Sequence, residues 1–156
     1  MLHKHVTYNA FEAISFSKKS KSSIDDRDPF SSTQLESIYA LDIFQKQNFR
    51  KAYHFWLPLL GLYTGARIGE LSQIYSDDVV EVDGVWCLDI KNEGKRRTKN
   101  AASVRLIPIH SKLIELGFID FMQNQQGQAF KELTYTEKSG YGGGNSSKWF
   151  GYLKPS

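Results

Sequence analysis

Apolar residues in this chain recur at helical spacing, then at every second position, then at helical spacing again. Residues 1 to 28 show no strong period and end in "SKKSKSSIDDRD" before Pro29, a composition that reads as a linker or the tail of a preceding region. From residue 29 onward the pattern is that of a folded domain. A helix is predicted to begin near Ser32, where "TQLE" has the T-x-x-E form of a capping box and Leu35, Ile38, Tyr39 and Ile43 share one face. The stretch from about Arg50 to Tyr63 contains "FWLPLLGLY" and is apolar nearly all round, which predicts a central buried helix. Pro58 should kink it or mark its first buried turn. Gly65 breaks the run, and a third helix is expected from Arg67 to Tyr75.

The period then shifts to two. "DDVVEVDGVWCLDIK" alternates, and Asp83-Gly84 at its middle is a hairpin signal between two strands. "SVRLIPIH" predicts a third strand, with Pro108 at its end or at a sheet edge. Residues 111 to 125 return to helical spacing through Leu113, Leu116 or Gly117, and Phe121. "KSGYGGGNSS" reads as a flexible loop, and "SSKWFGYLK" as a last amphipathic helix with Trp149, Phe150 and Leu153 inward. The sum is an α+β fold, mainly helical, with one small three-stranded antiparallel sheet.

Composition narrows the class. At 156 residues, 40% apolar and 13% aromatic, the chain is long enough for one domain with its own core and too apolar to be disordered. The single cysteine, Cys87, excludes an internal disulfide and a cysteine-based zinc site, and its place in an alternating strand predicts a packed thiol. The histidines His3, His5, His54 and His110 are scattered, so no metal site is expected. No apolar run reaches the length of a membrane span and the first residues are not a signal peptide, which predicts a cytoplasmic protein.

Charge changes the picture more. The formal net charge is +3. Residues 91 to 105 hold six cations (Lys91, Lys95, Arg96, Arg97, Lys99, Arg105) and one acid (Glu93), which is +5; the rest of the chain, with 14 basic and 16 acidic residues, is −2. A focused basic segment on a near-neutral body fits a polyanion-binding surface, although a charge run is often only a solvated loop.

The other candidate is "TGARIGEL", residues 64 to 71. Arg67 and Glu70 are one helical turn apart and share a face. A plain ion pair explains them; so does a guanidinium held by a carboxylate for binding a phosphate. Phosphodiester chemistry needs fixed guanidinium groups on the non-bridging oxygens and a positioned acid for the leaving 5′ oxygen. Arg67 and a lysine of the basic segment fit those two roles. Phe55, Trp56 and Trp149 lie on apolar helical faces and read as core, not as base-stacking platforms. "GYGGGN" lacks a following Gly-Lys-Ser/Thr and is not a phosphate loop.

"TGARIGEL" closely resembles the T-G-x-R-x-x-E-L motif of the tyrosine recombinases, the phage integrase family. The resemblance extends through the acidic "SDDV", a hairpin, and "TKNAASVRLIPIH", which is similar to the lysine-bearing hairpin of integrases from phages and genomic islands. "LIELGFIDF" and "SSKWFGYL" resemble segments that precede the family's His-x-x-Arg box, and "NAFEAISFSKK" resembles the bridge from the core-binding domain. The resemblance implies the helical catalytic core of that family, a site-specific DNA recombinase that cuts and rejoins DNA through a phosphotyrosyl bond. It implies double-stranded DNA as partner, a tetramer of the full-length protein on DNA, no cofactor and no metal. It places Arg67, Lys99 and Glu70 in the catalytic site, with Lys95 competing for the role of Lys99 as acid, and Lys95, Arg96, Arg97 and Arg105 on DNA. The His-x-x-Arg box and the tyrosine nucleophile that follows it are absent from the 156 residues. The expectation is therefore the first part of a catalytic domain, inactive by itself. A DNA-binding remnant or regulatory module without catalysis is the alternative.

Overall fold

A computed structural model describes residues 29–94, 96–98, 103–133, 135–136, 140–141 and 145–153. The region read as a linker, residues 1 to 28, lies outside the described residues, as do Lys95 and Lys99.

Within the unit Ser32–Ser156, the elements run α1 (Ser32–Tyr39), α2 (Asp42–Gln45), α3 (Ala52–Thr64), α4 (Ile68–Leu71), a 3-10 turn (Ser76–Asp78), β1 (Val79–Val82), β2 (Val85–Ile90), β3 (Arg105–Pro108), α5 (Ser111–Glu115), α6 (Phe118–Gln123), β4 (Tyr135–Thr136), β5 (Gly140–Tyr141) and α7 (Asn145–Tyr152). The fold is α+β, mainly helical, with a three-stranded antiparallel sheet ordered β1-β2-β3. No described helix is long and apolar enough to cross a membrane.

α3 is the axis of the core. Tyr53, Phe55, Trp56, Leu57, Pro58, Leu59 and Leu60 are all buried. Each such side chain contributes on the order of 2 kcal/mol relative to leaving it in water. Pro58 sits inside this helix without ending it; the Tyr39 hydroxyl donates to its carbonyl at 3.0 Å. Burial, with Tyr63 nearby, pushes the Tyr39 phenol up to about 12, so it stays a neutral donor. Around α3 pack Ile38 from α1, Phe44 from α2, Leu88 and Ile90 from β2, Leu113 from α5, and Phe118 and Met122 from α6.

The hairpin forms where predicted. Asp83 (φ 49°) and Gly84 (φ 77°) both adopt left-handed backbone, the two-residue turn whose twist suits paired strands. β3 pairs only with β2 in the sheet, so Pro108 sits on an edge strand, opposite Cys87. Cys87 is a buried free thiol. The basic segment is the connection between β2 and β3.

Four expectations need correction. The "TQLE" box does not cap α1, because Thr33 already lies inside the helix and its carbonyl accepts from Ser37 Oγ at 2.8 Å. The helix from Arg67 is one turn long, not nine residues. It ends at Leu71, and Tyr75 leaves it to bridge Gln128 while Ala129 N–H donates to the Ile74 carbonyl at 2.9 Å. The helix expected over 111–125 is divided by Gly117, at φ 85°, into α5 and α6. A second ladder joins β4 to β5, and β5 falls within the stretch read as a flexible loop, whose residues 142–144 lie outside the described set. On α7, Trp149 is half-buried and stacks on the His54 ring at 4.1 Å between centroids.

Candidate functional site

The site begins at the glycine turn after α3. Gly65 caps that helix in the left-handed region, φ 63°, with its N–H on the Gly61 carbonyl. Thr64 steadies the turn: its hydroxyl donates to the Leu60 carbonyl at 2.6 Å and accepts from Ala66 N–H at 3.1 Å. Ala66 is buried, so the core fixes the chain just before Arg67. Arg67 then stands at the start of α4 with extended backbone, φ −69° and ψ 144°.

Glu70 organises what surrounds it. Its Oε1 accepts from Arg67 Nη1 at 2.8 Å. Its Oε2 accepts from the Arg67 backbone N–H at 3.1 Å and from Arg105 Nη2 at 3.1 Å. Arg67 Nη1 also donates to Ser103 Oγ at 3.1 Å, across 36 positions of sequence. The Glu70 side chain is 3% exposed, whereas Arg67 is 57% and Arg105 35% exposed. Burial pushes the Glu70 carboxyl up, but the bonds from Arg67 and Arg105 outweigh it and hold it below the usual carboxylate range. The carboxylate is therefore charged at neutral pH. It holds one edge of each guanidinium; Arg105 Nη1 donates in addition to the Ser103 carbonyl at 2.7 Å, and Arg67 keeps more than half of its side chain in water.

A second cluster lies at the same end of the sheet, where Asp78 precedes β1, Asp89 and Lys91 close β2, and Ile90 pairs with Arg105. Asp78, 2% exposed, accepts at Oδ2 from Tyr75 N–H at 2.8 Å and from Arg96 Nε at 3.0 Å. Arg96 Nη2 lies 2.9 Å from Asp78 Oδ1 and 2.6 Å from Asp77 Oδ1, and the guanidinium covers the Tyr75 ring at 4.4 Å. Lys91 Nζ reaches Asp78 Oδ1 at 3.3 Å and Asp89 Oδ2 at 3.6 Å. Burial pushes the Lys91 ammonium down, and Asp78 first, then Asp89 and Asp77, raise it further than burial lowers it. The same balance, with Asp78 again the main partner, raises Arg96. Arg96 is only 11% exposed. A cavity of about 10 Å³, the space of one water molecule, is lined by Glu70 and Gln73 on one side and Asp78, Asp89, Lys91 and Arg96 on the other.

The residues singled out in the sequence thus separate into three groups. Arg67, Glu70 and Arg105 come together. Arg96 is apart from them, inside the aspartate cluster. Arg97 stands between: its backbone is held by Gln73, and its exposed guanidinium donates to the Gly94 and Arg96 carbonyls, each at 2.8 Å. Lys95 and Lys99 are not among the described residues. Sequence reasoning missed Ser103, Gln73 and the work of Asp78. "SDDV" carried the only trace of Asp78, as an acidic run; nothing local marks Ser103 or Gln73, whose partners lie 24 or more positions away. Among the described residues, no group of three or more His, Cys, Asp and Glu side chains is placed to hold a metal ion.

No family model, curated protein or solved structure matches the chain.

Proposed function

We propose that this chain is part of the catalytic core of a site-specific DNA recombinase of the tyrosine recombinase type, and that the residues present bind the DNA phosphodiester without cutting it. One observation carries the reading: Arg67, at a turn fixed by the core, shares the buried Glu70 carboxylate with Arg105 from the basic segment. One carboxylate against two guanidiniums leaves a net positive, half-exposed site, suited to bidentate contact with a phosphate. In this reading Arg67 receives the non-bridging oxygens and Glu70 holds it in place. Arg105 and Arg97 contact neighbouring phosphates, which positions DNA without reading its sequence. In the whole protein, Lys99, or Lys95, gives a proton to the leaving 5′ oxygen. The reaction in the whole protein is a transesterification in which a tyrosine attacks the phosphate and conserves the bond energy as a phosphotyrosyl ester, with protomers arranged as a tetramer on DNA.

The 156 residues contain no His-x-x-Arg, which favours a second reading, a DNA-binding module without chemistry. A downstream reading frame encoding that box and then a tyrosine would fit the recombinase; a stop codon directly after Ser156 would fit the module.

Binding to duplex DNA, followed by fluorescence anisotropy between about 50 and 200 mM salt, tests the phosphate contacts. Three engaged arginines give a log–log slope of about −2.7, at about −0.9 per contact. Incubation with a nicked duplex should leave no covalent adduct on a denaturing gel. Affinity that does not change with salt, or an adduct that survives denaturation, contradicts the proposal.

A further inference from the structure

The clamp between Gln73 and the basic segment is used by nothing described so far. Gln73 is 4% exposed and lies one turn beyond Glu70. Its side-chain amide donates to the Arg97 carbonyl and accepts from the Arg97 N–H. A primary amide offers a donor and an acceptor side by side, so it pairs with one residue's backbone as a neighbouring strand would. The buried amide has both of these groups satisfied at a single residue, 24 positions away. Arg97 gains a fixed backbone while its guanidinium stays at the surface. Asp78 holds Arg96, the preceding residue, so two successive residues of the segment are fastened to the body. The far end of the segment is fastened at Ser103 and Arg105 to Arg67 and Glu70.

We infer that Gln73 is a positioning residue. By gripping the Arg97 backbone, it sets the Arg97 guanidinium beside the Arg67–Glu70–Arg105 site, so that three arginines from distant positions present one cationic surface to a nucleic-acid backbone. The inference rests on the DNA reading for its consequence, but the clamp stands or falls separately.

Amide hydrogen exchange of the wild-type protein judges the clamp alone. The Arg97 N–H should be protected, and exchange at the rate of a free loop overturns the inference. Gln73→Met keeps the side-chain volume and removes both bonds. It should speed Arg97 exchange by about tenfold, the loss of one ordinary hydrogen bond. It should also reduce the salt slope of duplex binding by about one, the share of one phosphate contact. Arg97→Ala should reduce the slope equally, and the double variant no further than either alone. A merely structural role for Gln73 would lower stability and leave the slope unchanged; that result, or losses that add in the double variant, contradicts the inference. If Gln73→Met does not fold, Gln73→Asn, with its amide one methylene too short for both bonds, is read by the same criteria. Wild-type protein that shows Arg97 protection but no salt-dependent DNA binding sinks the DNA reading and the positioning role with it, while leaving the clamp in place.

Discussion

The Glu70 cluster and the Asp78 cluster are built from the same materials and reach opposite ends. Each centres on a carboxylate almost wholly removed from water and gathers two cations, at least one of them from the basic segment. Around Glu70, one carboxylate faces two guanidiniums, leaving +1, and both arginines keep much of their surface in solvent. Around Asp78, four carboxylates (Asp77, Asp78, Asp89, Glu93) face Lys91 and Arg96, leaving −2, and Arg96 is nearly enclosed. The first arrangement has attraction left over for an anion; the second has none. Four of the described cations in one basic segment therefore have different uses, and the partner acids decide which. Lys91 and Arg96 tie the segment to the body. Arg97 and Arg105 keep more of their side chains in solvent, which the proposed reading gives to DNA phosphates.

The contrast can be tested from its strongest consequence downward. Asp78→Ala leaves two cations facing a buried vacancy and should cost about 3 kcal/mol of stability by urea unfolding. A loss below about 1 kcal/mol would mean that the cluster is a loose surface pair. Glu70→Gln removes charge from three hydrogen bonds and should cost about 2 kcal/mol at pH 7. Its pH dependence has a definite sign. The folded carboxyl titrates lower than the unfolded one, so its contribution is complete above the ordinary value of 4.5 and disappears as pH falls through the lowered value. The gap between wild type and Glu70→Gln should accordingly narrow below about pH 4.5; a gap that widens in acid contradicts the pairing. Gly65→Ala, forced into left-handed backbone at φ 63°, should cost about 1 kcal/mol. Open space around Gly65 means that strain alone, not collision, sets this value. Arg67→Ala should be smallest in stability, under about 1 kcal/mol, because the pair is 57% exposed on the arginine side and Glu70 keeps Arg105.

Much of the fold was written in local pattern. The central helix announced itself by being apolar all round, and the Asp83-Gly84 turn by its backbone needs. Other features were set by tertiary partners. Ser72 and Gln73 fall inside the expected third helix, yet the helix has ended there and both are buried, because the chain turns to meet Gln128 and Ala129. Ala129, Phe130 and Leu133 belong to the core although their stretch shows no period, since it packs as irregular chain. At the site, the three-residue spacing made Arg67 and Glu70 legible as a pair. That Arg105 and Ser103 join them depends on the path from β2 back to β3, which no local pattern encodes.

The most direct test compares two arginines from these two clusters on the same DNA. The salt slope of duplex binding is measured for wild type, Arg67→Ala and Arg96→Ala. Arg67→Ala should lower the slope by about one. Arg96→Ala, measured where it remains folded, should leave the slope as in wild type. Equal slopes for wild type and Arg67→Ala, or a slope lost with Arg96 instead, would contradict the assignment of the phosphate to the Glu70 cluster.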